Sequence, residues 1–185
     1  MAESDFLILP ERAEDHQTIE QLLDAAFGLG RRTKTAYRLR EGSAPIADLC
    51  FTARLDARLV GSIQFWPLIV GGETEALLLG PLAVAPELHG QGCGLALMKH
   101  SLARARELGH RLVILVGDAP YYARVGFERI PDGRMLMPGP VDPDRFLALE
   151  LQPGALAEAH GLILGDRERR RAATPSRVTR GRGPL

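Results

Sequence analysis

Residues 15–27 place Ile19, Leu22, Leu23, Ala26 and Phe27 at the spacing of one helical face, and Gly28 stands just past the last of them. Ahead of them, FLIL at 6–9 predicts a short strand stopped by Pro10, and after them RTKTAYRLRE at 32–41 predicts a second, more polar helix. The pattern then changes period. ADLCFTARL (47–55) and RLVGSIQFWPLIV (58–70) are strand-like and meet at Asp56-Ala57 in the manner of a hairpin. Trp66-Pro67 is expected to end the second of these strands, and GGE (71–73) predicts another turn. ALLLGPLAV (76–84) is almost wholly apolar, as a strand covered on both faces should be. Pro81 interrupts it. Proline cannot donate to a ladder, so a bulge or the end of pairing is expected there.

Beyond Pro86 the period returns to that of a helix. Leu95, Met98, Leu102 and Ala105 mark one face, Leu108 extends it and Gly109 closes it. RLVILV (111–116) predicts another buried strand. DAPYYARVGF (118–127) predicts a short helix with Asp118 as N-cap, Pro120 in the first turn and Gly126 past the end. FLALEL (146–151) alternates as a last strand would. Helices, then an antiparallel meander, then a strand–helix–strand unit predict an α/β fold on a mixed parallel and antiparallel sheet flanked by helices.

Charge and composition narrow the class of function. Lys plus Arg equals Asp plus Glu at 23 each, which gives no overall pull toward nucleic acid or an anionic membrane. Cys50 and Cys93 make neither a disulfide framework nor a metal spacing, as expected in a reducing compartment. The N-terminal stretch has no basic region ahead of an apolar one, and no apolar run reaches the length of a membrane span. The expectation is a soluble cytoplasmic protein with no metal. Residues 1–165 read as one domain. From Asp166 the chain turns basic, with seven arginines and two acids in its last twenty residues, and the expectation there is a disordered tail. A phosphate-binding contact with nucleic acid is the lesser alternative for that tail.

PELHGQGCGLALMKHS (86–101) packs three glycines into the five positions 90–94 and passes straight into a helix. A dinucleotide-binding turn needs G-x-G-x-x-G, and the spacing here is G-x-G-x-G; a P-loop needs Lys-Ser/Thr directly after its last glycine, and Lys99 is too far on. Two readings remain. One is a loop that cups a pyrophosphate on the free N–H groups and dipole of a helix N-terminus, with missing Cβ atoms admitting the phosphates. The other is a tight strand-to-helix connection that binds nothing.

LGPLAVAPELHGQGCGLALM resembles the acyl-CoA-binding segment of the GCN5-related N-acetyltransferase family, whose pattern Gln/Arg-x-x-Gly-x-Gly/Ala falls on residues 89–94 with His89 in place of Gln or Arg. YYARVGF resembles that family's Tyr-x-x-x-Gly-Phe, so the likeness is strong over 76–130 and weaker over the rest of 5–152. It implies a twisted mixed sheet and transfer of acetyl from acetyl-CoA to a primary amine by direct attack. It further implies that the backbone of Leu82, Ala83 and Val84 receives the pantetheine arm. His89, Gly90, Gln91, Gly92, Cys93, Gly94 and Leu95 would hold the pyrophosphate, with Asp118 and Tyr121 beside the groove. Tyr122 would be the general acid at the departing sulfur. A non-catalytic acyl-CoA-binding or regulatory module would carry the same loop, so that reading stays open.

The resemblance implies a small-molecule or peptide amine as acceptor, and a homodimer is left open. The early helices and residues 131–146 are expected to shape its site. Arg31, Arg32 and Lys34 read either as a solvated helix start or as a lure for an acidic acceptor or the CoA phosphates. No general base is assigned; Glu73 and Glu75 read as solvated turn charges. Cys93 reads as a small residue in a crowded loop, although a helix N-terminus can activate a thiol.

Overall fold

Odd and even positions of the central strands face different cores, because successive strand residues point to opposite sides of a sheet. Leu77, Leu79, Val113, Leu115, Leu147 and Leu149 pack in one apolar cluster; Ala76, Leu78, Leu112, Ile114, Phe146 and Ala148 pack in another. The structure, a computed structural model, describes residues 6–166. The basic stretch, with the expectation that it is a disordered tail, lies outside the described residues apart from Asp166.

In chain order the elements are β1 (Leu7–Pro10), α1 (His16–Phe27), α2 (Thr35–Arg38), β2 (Phe51–Leu55), β3 (Arg58–Val70) and β4 (Thr74–Val84). There follow α3 (Cys93–Glu107), β5 (Leu112–Val116), α4 (Ala119–Ala123), β6 (Glu128–Arg129), β7 (Met135–Leu136), β8 (Phe146–Glu150), α5 (Ala155–Glu158) and β9 (Gly161–Gly165). The sheet runs β1-β2-β3-β4-β5-β8-β6, antiparallel except where β4 meets β5. β9 continues along the far end of β3 and pairs in parallel with β7. Ile19, Leu22 and Leu23 of α1 and Leu97, Met98, Leu102 and Ala105 of α3 fill the first cluster; Leu39, Ala155 and Ile163 belong to the second. The mixed sheet with helices on its faces is the fold the strand and helix periods predict.

The hairpin at Asp56-Ala57 puts both residues at positive φ, 49° and 67°, the left-handed pair whose twist suits a two-residue connection. Three expectations need correction. Pro10 does not lie past the end of β1 but forms that end, opposite Phe51, which an edge strand tolerates. β3 runs through Trp66-Pro67 to Val70; Gln64–Pro67 has β4 on one side and neither β2 nor β9 on the other, so proline is accommodated as on an edge. The helix expected over 32–41 shrinks to Thr35–Arg38 behind a 3-10 turn at Leu29–Thr33, with Lys34 extended between them. That segment owns no apolar stripe: it buries Leu39 together with the guanidinium groups of Arg31 and Arg40. On α3 the buried stripe runs Cys93, Leu97, Met98, Ser101, Leu102 and Ala105, leaving Leu95 half-buried and Leu108 exposed.

Candidate active site

β4 and β5 pair only at Leu77–Val113 and Leu78–Ile114. Just past that point, Gly80 and Pro81 together oppose the single residue Gln64 of β3, and the Gly80-Pro81 peptide is cis. This is the bulge expected from Pro81; pairing to β3 resumes at Leu82 while pairing to β5 does not. Ala85 N–H donates to Val60 O at 2.8 Å across β3. Alternation along the strand therefore commits Ala83 to β3 and turns the main-chain groups of Leu82 and Val84 toward the gap beside β5. Val84 O is met there by His89 Nε2 at 3.0 Å. His89, the departure from the family pattern, thus ties the loop to the end of β4.

The loop itself separates its glycines by task. Gly90 and Gly92 have φ of 78° and 89° and open space where a Cβ would stand. Left-handed backbone at two positions is what only glycine adopts freely. Gly94 has an ordinary φ, but a Cβ there would collide with Tyr121 Oη. The first helical bond is Ala96 N–H to Gly92 O at 2.9 Å, so Cys93, Gly94 and Leu95 present N–H groups with no helical partner. A cavity of about 320 Å³ opens over them. Its walls include Leu82, Ala83 and Val84 from β4, His89, Gly90, Gly92, Cys93, Gly94 and Leu95 from the loop and helix, and Tyr121 and Tyr122 from α4. Gln91 is not on that wall, and its amide donates to Glu87 O at 3.1 Å. Arg124, which sequence reasoning passes over, is on it.

Asp118 caps α4 by accepting the Tyr121 N–H at 3.2 Å, which fixes both tyrosines at the mouth of the gap. Their rings meet edge-on at 5.2 Å, and Tyr122 also packs against Gly117 and Phe127. Burial, with smaller contributions from Tyr121 and Asp118 against Arg145, pushes the Tyr122 hydroxyl up to about 12. It is a proton holder at any working pH. Cys93 is buried, and burial raises its thiol to about 11, overriding the helix terminus; Cys50 is raised to about 12, again chiefly by burial. At pH 8 a thiol of that kind is ionised in about one molecule in a thousand. The native protein should therefore resist a thiol-reactive disulfide reagent over minutes and show both cysteines only after unfolding; rapid labelling of Cys93 in the folded protein would contradict this assignment.

A second cavity, of about 700 Å³, shares Phe27, Leu82, Tyr121 and Tyr122 with the first and continues past the bulge at Leu79, Gly80 and Pro81. Residues 31–40 wall one side, and Pro140, Val141, Asp142 and Arg145 wall another, so both segments expected to shape an acceptor site are brought here. Thr35 Oγ1 donates to Pro140 O at 2.7 Å and joins them. Arg31 is spent on structure: it donates to Glu20 at 2.6 Å, to Asp24 at 2.9 Å and to Tyr37 Oη at 3.0 Å. Arg32 reaches only Glu20. Arg40 sits 4.4 Å over the Tyr37 ring, and burial pushes its guanidinium down to about 10. Arg40 and Tyr37 escape sequence reasoning because no period marks a buried arginine. Among the described residues no His or Glu lines this cavity, and Glu73 and Glu75 border another one.

Residues 47–129 match the model of the acetyltransferase (GNAT) domain. The uncharacterized N-acetyltransferase YjhQ of Escherichia coli K12 is 33% identical over 117 residues, which span 62% of this chain and 65% of that relative. The crystal structure of the GNAT family N-acetyltransferase YhbS from Escherichia coli in complex with CoA superposes with a TM-score of 0.75 at 28% identity, covering 90% of this chain and 92% of that one. A GNAT family acetyltransferase from Brucella melitensis in complex with acetyl-CoA gives a TM-score of 0.57 at 29% identity over 79% of this chain and 96% of the other. The split strands, the glycine-led helix and these likenesses agree: the chain is similar in sequence and in fold to acetyltransferases of the GNAT family.

Proposed function

We propose that this protein transfers an acetyl group from acetyl-CoA to a primary amine. The observation that carries the reading is the meeting of the two cavities at Leu82, Tyr121 and Tyr122, where β4 leaves β5. The glycine-loop side suits the co-substrate, because it offers unpaired helix N–H groups and strand backbone that β5 no longer pairs. The other side suits the acceptor. Relatives solved with CoA and with acetyl-CoA support acetyl-CoA as the co-substrate.

Gly90, Gly92, Cys93, Gly94 and Leu95 would hold the pyrophosphate by main-chain N–H groups, with Arg124 close by. Leu82 and Val84 would receive the pantetheine arm, and a main-chain N–H of that stretch would polarise the thioester carbonyl. Acetyl-CoA supplies a thioester open to attack by a neutral amine. Tyr122 donates its proton toward the departing sulfur. No side chain is assigned as base: Asp118 and Asp142, the carboxylates on the acceptor side, are engaged as caps on the N–H groups of Tyr121 and Asp144.

The test is release of free CoA thiol. With saturating acetyl-CoA and a panel of primary amines, thiol should appear only when an amine is present, together with the acetylated amine. Tight binding of acetyl-CoA without turnover of any amine would instead identify a binding or regulatory module.

A further inference from the structure

Arg40 is 91% buried on the wall of the acceptor-side cavity, and neither its Nε nor its Nη1 has a hydrogen-bond partner. Guanidinium groups at this depth are ordinarily paired, because an uncompensated buried charge is costly. Arg31, equally buried and on the same segment, shows the usual solution, with two carboxylates and a phenol around it. Arg40 has no carboxylate partner among the described residues and lies against two ring faces, Tyr37 at 4.4 Å and Trp66 at 5.9 Å, with the Tyr37 hydroxyl also acting on it. Those faces attract the cation without taking up its N–H groups. Trp66 Nε1, on one of the two flanking rings, is likewise buried without a partner. Placed beside Gly80 of the β4 bulge, the guanidinium adjoins the point where the two cavities meet.

On the rest of the wall cations outnumber acids, with Arg31, Lys34, Arg38 and Arg145 against Asp118 and Asp142. Lys34 and Arg38 line it with no ion-pair partner among the described residues. Asp118 and Asp142 are spent on caps. Arg40 does not line the glycine-loop cavity, so the pyrophosphate is not its counterion.

We infer that the acceptor is an amine bearing a carboxylate, and that Arg40 receives this carboxylate on its guanidinium while the amine faces Tyr122. The inference rests on the transferase reading. It replaces Arg31 and Arg32 with Arg40 as the anion receptor. The planar guanidinium fork matches a carboxylate, whereas a lysine ammonium would not reproduce that fork.

The test uses ω-amino carboxylates of increasing chain length, each against its own primary amide, with thiol release as readout and acetyl-CoA titration on the same samples. In the wild type, kcat/KM should favour the carboxylate of at least one pair by about tenfold to a hundredfold, the range of charge-assisted hydrogen bonds. In Arg40→Met that ratio should collapse to near unity, and in Arg40→Lys it should fall to an intermediate value. If Arg40→Met does not fold, the drop in Arg40→Lys carries the test. Equal use of carboxylate and amide by the wild type, or a preference that survives both substitutions, overturns the inference. So does turnover of neutral amines alone. Failure to bind acetyl-CoA is a different result: it removes the transferase reading, and this inference with it.

Discussion

Gly92→Glu is expected to abolish acetyl-CoA binding while leaving the protein folded. Wild-type protein at a ligand concentration of 100 times Kd should gain about 2.7 kcal/mol of stability. For a domain of this size that is a rise in Tm of about 5–10 °C. Gly92 has φ of 89° and nothing within 4 Å of where a Cβ would stand, so the substitution meets backbone strain but no collision. Left-handed backbone costs a non-glycine residue about 1–2 kcal/mol, a loss a domain can absorb. The carboxylate, in contrast, would add negative charge at the helix terminus proposed for the pyrophosphate. Gly92→Ala separates the two effects: it carries the strain without the charge and should keep measurable binding. A wild-type protein that gains no stability from acetyl-CoA, or a glutamate variant that gains as much as wild type, would show that the loop is only a connection.

The fold is legible wherever a backbone demand and a side-chain pattern coincide. The hairpin at Asp56-Ala57, the interruption at Pro81 and the helix opening at the glycine loop each combine a turn or breaker residue with a change of hydrophobic period. The segment 29–41 is not legible, because its burial is paid in arginine and tyrosine rather than in leucine. Arg31 and Arg40 read as surface residues until Tyr37, Glu20 and Asp24 are brought around them by the packing of α1. β6 and β7 are two residues each, too short to show any period. β9 does carry a strand signal, an apolar run bounded by Gly161 and Gly165, yet its partners β3 and β7 are remote in sequence and nothing local points to them.

The side proposed for the co-substrate is more readable than the side proposed for the acceptor for a physical reason. Holding a pyrophosphate calls for main-chain N–H groups at one helix terminus, so its residues are consecutive and rich in glycine. The cavity proposed for the acceptor is assembled from residues 27–40, 79–82, 116–122 and 140–145, each giving a few side chains without a repeat. Even on the readable side, individual roles needed the structure. Gly94 is there for Tyr121 rather than for its own φ, Gln91 turns away from the cavity, and His89 serves β4 through Val84.

Tyr122→Phe should lower kcat by about 10²–10⁴, the usual worth of a positioned acid, with little change in KM for acetyl-CoA. The hydroxyl makes no hydrogen bond to another described residue, so its removal leaves no partner stranded and the ring can keep its contacts with Gly117 and Phe127. Burial holds Tyr122 at about 12, and this decides how it acts. Complete transfer to a thiolate of ordinary pKa, about 8.5, would be uphill by about 5 kcal/mol. In the proposed mechanism the proton would therefore be shared with the sulfur as charge develops, and solvent would complete the transfer once CoA departs. The pH profile follows from the sign of the shift. The neutral phenol is the active form, and a raised pKa keeps it neutral, so activity should be lost on this account only as pH rises toward 12. Below that, kcat/KM should climb with the neutral fraction of the acceptor: at pH 7 about a tenth for an α-amine of pKa near 8, and about one molecule in 2,500 for a lysine-type amine. Tyr121→Phe is the comparison. Its hydroxyl abuts Gly94 at the loop, so its loss should raise KM for acetyl-CoA more than it lowers kcat. A Tyr122→Phe enzyme that keeps kcat within about threefold of wild type, well short of that hundredfold minimum, would remove the hydroxyl from the mechanism, and a falling limb between pH 8 and 9 would assign the acid to another group.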